Sequence, residues 1–216
     1  MADTEEEQIE LLKKWWNENG KAIVIGVVTA VVLFLGWQTW HSHQQARNEA
    51  AADIFQQMIT AAESSDGAVK AVELAEQLRK DYSATVYGVF AALQLAKDAV
   101  VANNLPRAVM LLEWAQSQHP DASLQPLISF RLAKVQYAQG DLDKALASLS
   151  GIKDGSEWLV AAAELRGDIL QAQEKPDAAR ESYKVAIKAL DASGDQEQRT
   201  NLEIKLSGLK NSGNQP

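Results

Sequence analysis

His41 and His43, together with a scatter of carboxylates, are the side chains with the chemistry to hold a metal or move a proton. The two histidines stand two residues apart, and a tetrahedral metal site needs further ligands. His119 lies far along the chain, and there is no cysteine, which removes disulfides, thiolate catalysis and cysteine-ligated zinc. No H-E-x-x-H, phosphate-cradling glycine loop or G-x-S-x-G is present. The carboxylates fall mostly at expected helix starts or exposed faces, where water solvates them. The chain is read as a non-enzyme without metal or cofactor, and the two histidines as interfacial polar residues.

Recognition chemistry is the alternative. One set of side chains, Phe90, Leu93, Lys97 and Val100, is followed by a second, Leu127, Phe130, Lys134 and Tyr137. Aromatics interleaved with lysines at helical spacing suit an extended peptide or a partner's helix. Ordinary core and surface positions of a helix produce the same pattern. The candidate partner-binding residues are Phe90, Leu93, Lys97, Phe130, Lys134 and Tyr137. A third set, Ala22, Gly26 and Ala30, recurs every four residues and would let another helix approach closely. Each set depends on the element that presents it.

For Ala22, Gly26 and Ala30 that element is the uncharged run at 22–40, AIVIGVVTAVVLFLGWQTW. At about 1.5 Å of rise per residue it reaches roughly 28 Å, close to the apolar thickness of a bilayer. Trp15, Trp16, Trp37 and Trp40 bracket it, as interfacial tryptophans do. Trp37-Gln38-Thr39-Trp40-His41 offers no small-x-small cleavage site, so the run is read as a retained transmembrane helix. Lys13, Lys14 and Lys21 precede it, whereas Arg47 stands alone in the twenty residues after it. Positive charge stays inside, so residues 1–20 are expected in the cytoplasm and the large domain outside it, in a bacterium the periplasm.

Residues 4–18 read as a short amphipathic helix. Thr4 and Glu7 fit a capping box, and Ile9, Leu12 and Trp16 form an apolar stripe. Asn19-Gly20 would stop it or act as a hinge before the span. It would lie on the inner leaflet or serve as a docking element.

Beyond residue 40 the pattern is helical throughout. Ser64-Ser65-Asp66-Gly67, Asp81-Tyr82-Ser83, Asn103-Asn104, His119-Pro120, Gly140-Asp141, Asp154-Gly155-Ser156, Pro176 and Ser193-Gly194 cut it into eight helices of ten to twenty residues, with a ninth at 196–206. Leu95-Ala96, Ala108, Leu112, Ala115 and Pro120 match the offsets of a tetratricopeptide repeat. Leu132-Ala133, Gly140, Leu142, Ala145 and Leu149 repeat them, as do Gly167, Ala179, Tyr183 and Ala186. Met58-Ile59, Ala71, Ala75 and Leu78 form a weaker first unit. The alanines at 71, 108, 145 and 179 are 37, 37 and 34 residues apart, against a family period of 34.

The fold class is therefore all-α: a transmembrane helix (21–40), then an α-solenoid of about four hairpins with a capping helix (41–210) and a disordered tail (211–216). Residues such as Leu112 and Tyr183 should wedge between successive hairpins, and the first helices should line a concave surface. With 21 basic against 29 acidic residues the net charge is −8, and no face could collect the positive excess that nucleic acid requires.

Glu18-Asn19-Gly20-Lys21-Ala22, Gly26-Val27, Gly36-Trp37, Trp40 and Ser42-His43-Gln44 resemble the YfgM family of Gram-negative bacteria. The resemblance continues more weakly through Leu132-Ala133 with Val135, and through Glu157-Trp158 and Leu165-Arg166-Gly167. It implies an ancillary subunit of the SecYEG translocon, anchored in the inner membrane by one helix, with a periplasmic repeat domain. It further implies association with the membrane-bound isomerase-chaperone PpiD and help in passing newly exported, unfolded proteins to periplasmic chaperones. No short motif of that family transfers residue by residue. The alternative is a repeat scaffold or regulator in envelope stress signalling or cell-wall assembly.

Overall fold

The structure, a computed structural model, describes residues 2–64, 66–118, 121–190 and 195–209, with side chains from residue 8 onward. The side chains of the capping box at Thr4 and Glu7 are not among those described, and the breaks at His119-Pro120 and Ser193-Gly194 and the tail 211–216 lie outside the described residues. The chain divides into two compact units, Met1–Ala50 and Ala51–Pro216.

In the first unit, helix α1 (Ala2–Glu63) corrects the expected stop at Asn19-Gly20, through which it runs uninterrupted. Asn19 Nδ2 donates to the Trp15 carbonyl at 3.0 Å, so this side chain bonds back into its own helix instead of ending it. Gly20 lies beneath the Trp16 indole, where a Cβ would come within 3.1 Å of the ring. Both residues thus serve the helix they were expected to end. The hydroxyls of Thr29 and Thr39 donate to the carbonyls of Ile25 (2.8 Å) and Leu35 (2.6 Å), which satisfies them without water. Apolar side chains face outward all round α1, Ile25, Leu33 and Phe34 among them. It is the helix among the described residues that is long and apolar enough to cross a membrane.

The second unit takes the last turns of α1, then α2 (Ala68–Asp81), α3 (Val86–Val101), α4 (Leu105–Ser117), α5 (Gln125–Gln139), α6 (Leu142–Leu149), α7 (Leu159–Ala172), α8 (Pro176–Leu190) and α9 (Gln196–Gly208). Among the described residues there is no strand. From α2 onward each helix packs on the next, and α5 also meets α7. Local chemistry sets the boundaries. Thr85 caps α3, its hydroxyl accepting from Gly88 N at 3.3 Å, and Asn104 caps α4 by accepting from Arg107 N at 3.2 Å. Gly140 ends α5 at φ +84°, a left-handed conformation that costs a side-chain-bearing residue energy. At eight residues α6 is shorter than expected, because the chain turns after Leu149 and drives Ile152 back into the core.

Packing bears out the repeat register. Ala108, Ala145 and Ala179 are fully buried, as are Leu149 and Tyr183, with Leu112 nearly so. Ala71 is only half-buried, so the first unit is degenerate in structure as in sequence. Three apolar clusters follow one another along the chain. Helix α5 gives Ile128, Leu132 and Val135 to the first cluster and Ala133 to the second. Helix α7 gives Ala162, Leu165 and Ile169 to the second and Ala163 to the third. Because α5 and α7 each belong to two cores, neither can be buried by its own hairpin alone.

Candidate functional site: a cationic apolar cleft across the middle repeats

Leu93, Ala96, Lys97 and Val100 recur at i, i+3, i+4 and i+7 and share one face of α3. Arg131, Lys134, Val135 and Ala138 repeat that spacing on α5. With Leu105 and Leu112 of α4 and Val101 at the end of α3, these faces enclose a cleft of about 420 Å³. Its walls are aliphatic, and the small Ala96 and Ala138 leave it unfilled. Val101 is 81% exposed and Val100 42% exposed, so apolar surface here is left to solvent.

The electrostatics are one-sided. Lys97, Arg131 and Lys134 all line the cleft, and no carboxylate does. Among the described residues none of these three cations has an ion-pair partner, whereas Arg79, Arg107, Lys144, Arg180, Lys184 and Lys205 all do. The Lys134 ammonium lies 5.7 Å from the centre of the Phe130 ring, a weak cation–π contact that leaves it at the surface. The chain as a whole carries −8, so a convergence of three free cations runs against its average.

Of the six partner-binding candidates, Leu93, Lys97 and Lys134 line this cleft. The other three hold first helices together. The half-buried Phe90 ring is tilted against that of Phe55 at 6.0 Å, and Phe130 lies 5.5 Å from Trp158. Tyr137 packs on the second core cluster, and Leu127 on the first. Arg131, Val101, Leu105 and Ala138 join the cleft without having been singled out in the sequence. Arg131 stands three residues before Lys134, a signal that becomes legible once α5 is known to turn that side toward α3 and α4. Ala22, Gly26 and Ala30 lie on α1, with nothing within 4 Å of where a Gly26 Cβ would stand.

A second polar cluster joins α7, α8 and α9. The Tyr183 hydroxyl donates to Asp168 Oδ1 at 2.7 Å and to Gln171 Oε1 at 3.3 Å. The Lys205 ammonium donates to Glu164 at 2.7 Å and to Asp168 at 2.8 Å. Burial, and then the Asp168 carboxylate, push the phenol far above its ordinary value. Burial works against the charge on Lys205, but Asp168 and Glu164 outweigh it and raise its pKa. Every charge in the cluster is paired within the fold, so it is a clamp on the last helix. His41 stacks on Trp37 at 5.6 Å, and no described group of three or more His, Asp or Glu residues could hold a metal.

Similarity to known proteins bears on what this arrangement serves. The tetratricopeptide repeat-like domain family model matches residues 13–211. The chain is 33% identical to an "Ancillary SecYEG translocon subunit" of Escherichia coli (strain K12), over 87% of this chain and 89% of that one. It is 34% identical to proteins of the same description from Haemophilus influenzae and Aggregatibacter actinomycetemcomitans, in each case over 95% of this chain and 97% of the other.

Proposed function

This chain belongs to the tetratricopeptide repeat-like family of ancillary SecYEG translocon subunits, and from that membership we propose that it is a membrane-anchored adaptor whose repeat domain docks protein partners at the translocon. The N-terminus is cytoplasmic and the repeats are periplasmic, a reading supported by Lys13, Lys14 and Lys21 before the span against Arg47 alone after it. Its partners are the translocon itself, a PpiD-like membrane-anchored isomerase-chaperone and newly exported proteins still unfolded, which it helps to pass to periplasmic chaperones. It performs no catalysis of its own.

The observation that carries the reading is the open aliphatic cleft across α3, α4 and α5, held by a stack of repeats. A repeat solenoid offers an extended surface of this kind without needing to move. A photo-crosslinking amino acid placed at Val101 or Lys97 in intact cells tests it. Capture of translocon subunits, the isomerase-chaperone or exported chains is the expected result. Capture of none of them, with the protein present in the membrane at normal amount, sinks the reading.

A further inference from the structure

We propose that the occupant of the α3–α4–α5 cleft is an acidic apolar segment of a partner protein, a short stretch in which aliphatic side chains alternate with carboxylates. This inference rests on the docking function just described and specifies its ligand. Leu93, Val100 and Leu112 supply an apolar floor, while Lys97, Arg131 and Lys134 supply the charge, and no acidic side chain lines the cleft to neutralise them. A volume of about 420 Å³ lies within the range of about 300 to 1,000 Å³ that ligand clefts take.

The cations belong to the two middle repeats. Lys97 and Lys134 are 37 residues apart, the distance from Ala71 to Ala108 and from Ala108 to Ala145, so they occupy one register position in successive units. One period of 37 before Lys97 stands Thr60, and one period of 34 after Lys134 stands Asp168, which Lys205 and Tyr183 already occupy. The first and last repeats therefore offer no free cation at this position. A ligand with carboxylates along its length meets ammonium groups on both walls, Lys97 on α3 and Lys134 on α5. An anionic lipid matches the charge but needs its acyl chains enclosed, and here the apolar wall ends in solvent at Val101.

The test uses the full chain in detergent micelles and two short fluorescein-labelled peptides, one of leucines interspersed with glutamates, the other with glutamine in place of each glutamate. Fluorescence anisotropy should show the glutamate peptide binding about tenfold tighter, the combined effect of three exposed ion pairs of modest individual strength. Added salt should shrink that preference. Lys97→Gln with Lys134→Gln should cut it to the share of Arg131, about twofold, while leaving the weaker binding of the glutamine peptide unchanged. Both lysines are exposed, so folding should survive, with Arg131→Gln on the α5 wall as a second variant. Equal binding of the two peptides, indifference to the lysine changes, or binding of phosphatidylglycerol by the chain with no binding of either peptide would overturn the inference. Equal binding would do so while leaving partner docking intact, which the crosslinks at Val101 judge separately.

Discussion

Gly167 on α7 lies directly against the ring of Tyr183 on α8, so closely that a Cβ would stand 2.6 Å from Tyr183 Cδ1 and 2.8 Å from Cζ. The ring is fully buried, and its hydroxyl is anchored to Asp168 and Gln171, so it has nowhere to retreat. Small residue and large residue here are one packing decision made by two helices.

Gly167→Ala should therefore destabilise the domain. Overpacking a closed core costs about 1–3 kcal/mol, against about 1 kcal/mol that alanine contributes through helix propensity. With an immobile ring as the obstacle, the net effect is a loss. Tyr183→Leu in the same chain should recover part of it, giving a non-additive cycle in urea unfolding. Additive effects would show that the two residues do not share the space.

Alkaline pH should unfold the domain through the same cluster. Tyr183 and Lys205 both have folded-state pKa values raised above their ordinary 10.0 and 10.5. The folded state then holds protons that the unfolded chain releases, so stability is complete below about pH 10 and falls as pH rises further. Tyr183→Phe should flatten this fall by removing the phenol, at a cost of about 1 kcal/mol at neutral pH for the lost hydrogen bonds. Unfolding midpoints measured at neutral and alkaline pH read both effects, and an unchanged alkaline slope in the variant would contradict them.

Lys205→Met should loosen the C-terminal helix before the rest. Lys205 is the cation that ties α9 to Glu164 and Asp168 on α7, and its removal leaves those two carboxylates close together. Amide exchange should accelerate across α9 while α3 and α5 keep their protection. Uniform acceleration through the whole domain would mean that the clamp stabilises everything and not the cap alone.

The repeat register predicts unequal responses at equivalent alanines. Ala145→Leu, at a fully buried contact, should cost about 1–3 kcal/mol. Ala71→Leu, at the half-buried counterpart in the degenerate first unit, should cost less than about 1 kcal/mol. Thermal unfolding distinguishes them. Equal costs would place the first unit on the same footing as the others.

Orientation is readable because the chain has no cysteine. Ser207→Cys, exposed on α9, should react with a membrane-impermeant maleimide once the outer membrane is made permeable. Gln8→Cys should react only after the inner membrane is broken. The reverse pattern would invert the topology.

Some features were fully legible in the residues, because they depend on neighbours along the chain. The apolar run between tryptophans needs only its own composition to be long and apolar enough to cross a membrane, and the alanines at 108, 145 and 179 need only helical geometry to mark close approaches. Gly140 after α5 is of the same local kind. Asn19-Gly20 was misleading because stop signals act when nothing continues the helix, whereas here Trp16 covers the glycine and Asn19 bonds back to Trp15.

What only the tertiary structure decided is where the stacked helices leave space. The repeat register places Phe90, Phe130 and Tyr137 beside Leu93, Lys97 and Lys134, but the aromatic rings are consumed in packing while the lysines stay at an open cleft. Arg131 joined them, and Asp168, at the position equivalent to Lys134, was taken by Lys205 and Tyr183. Periodicity states which residues share a helix face. Whether that face is covered depends on the volumes of side chains dozens of residues away, and those meet only when the hairpins stack.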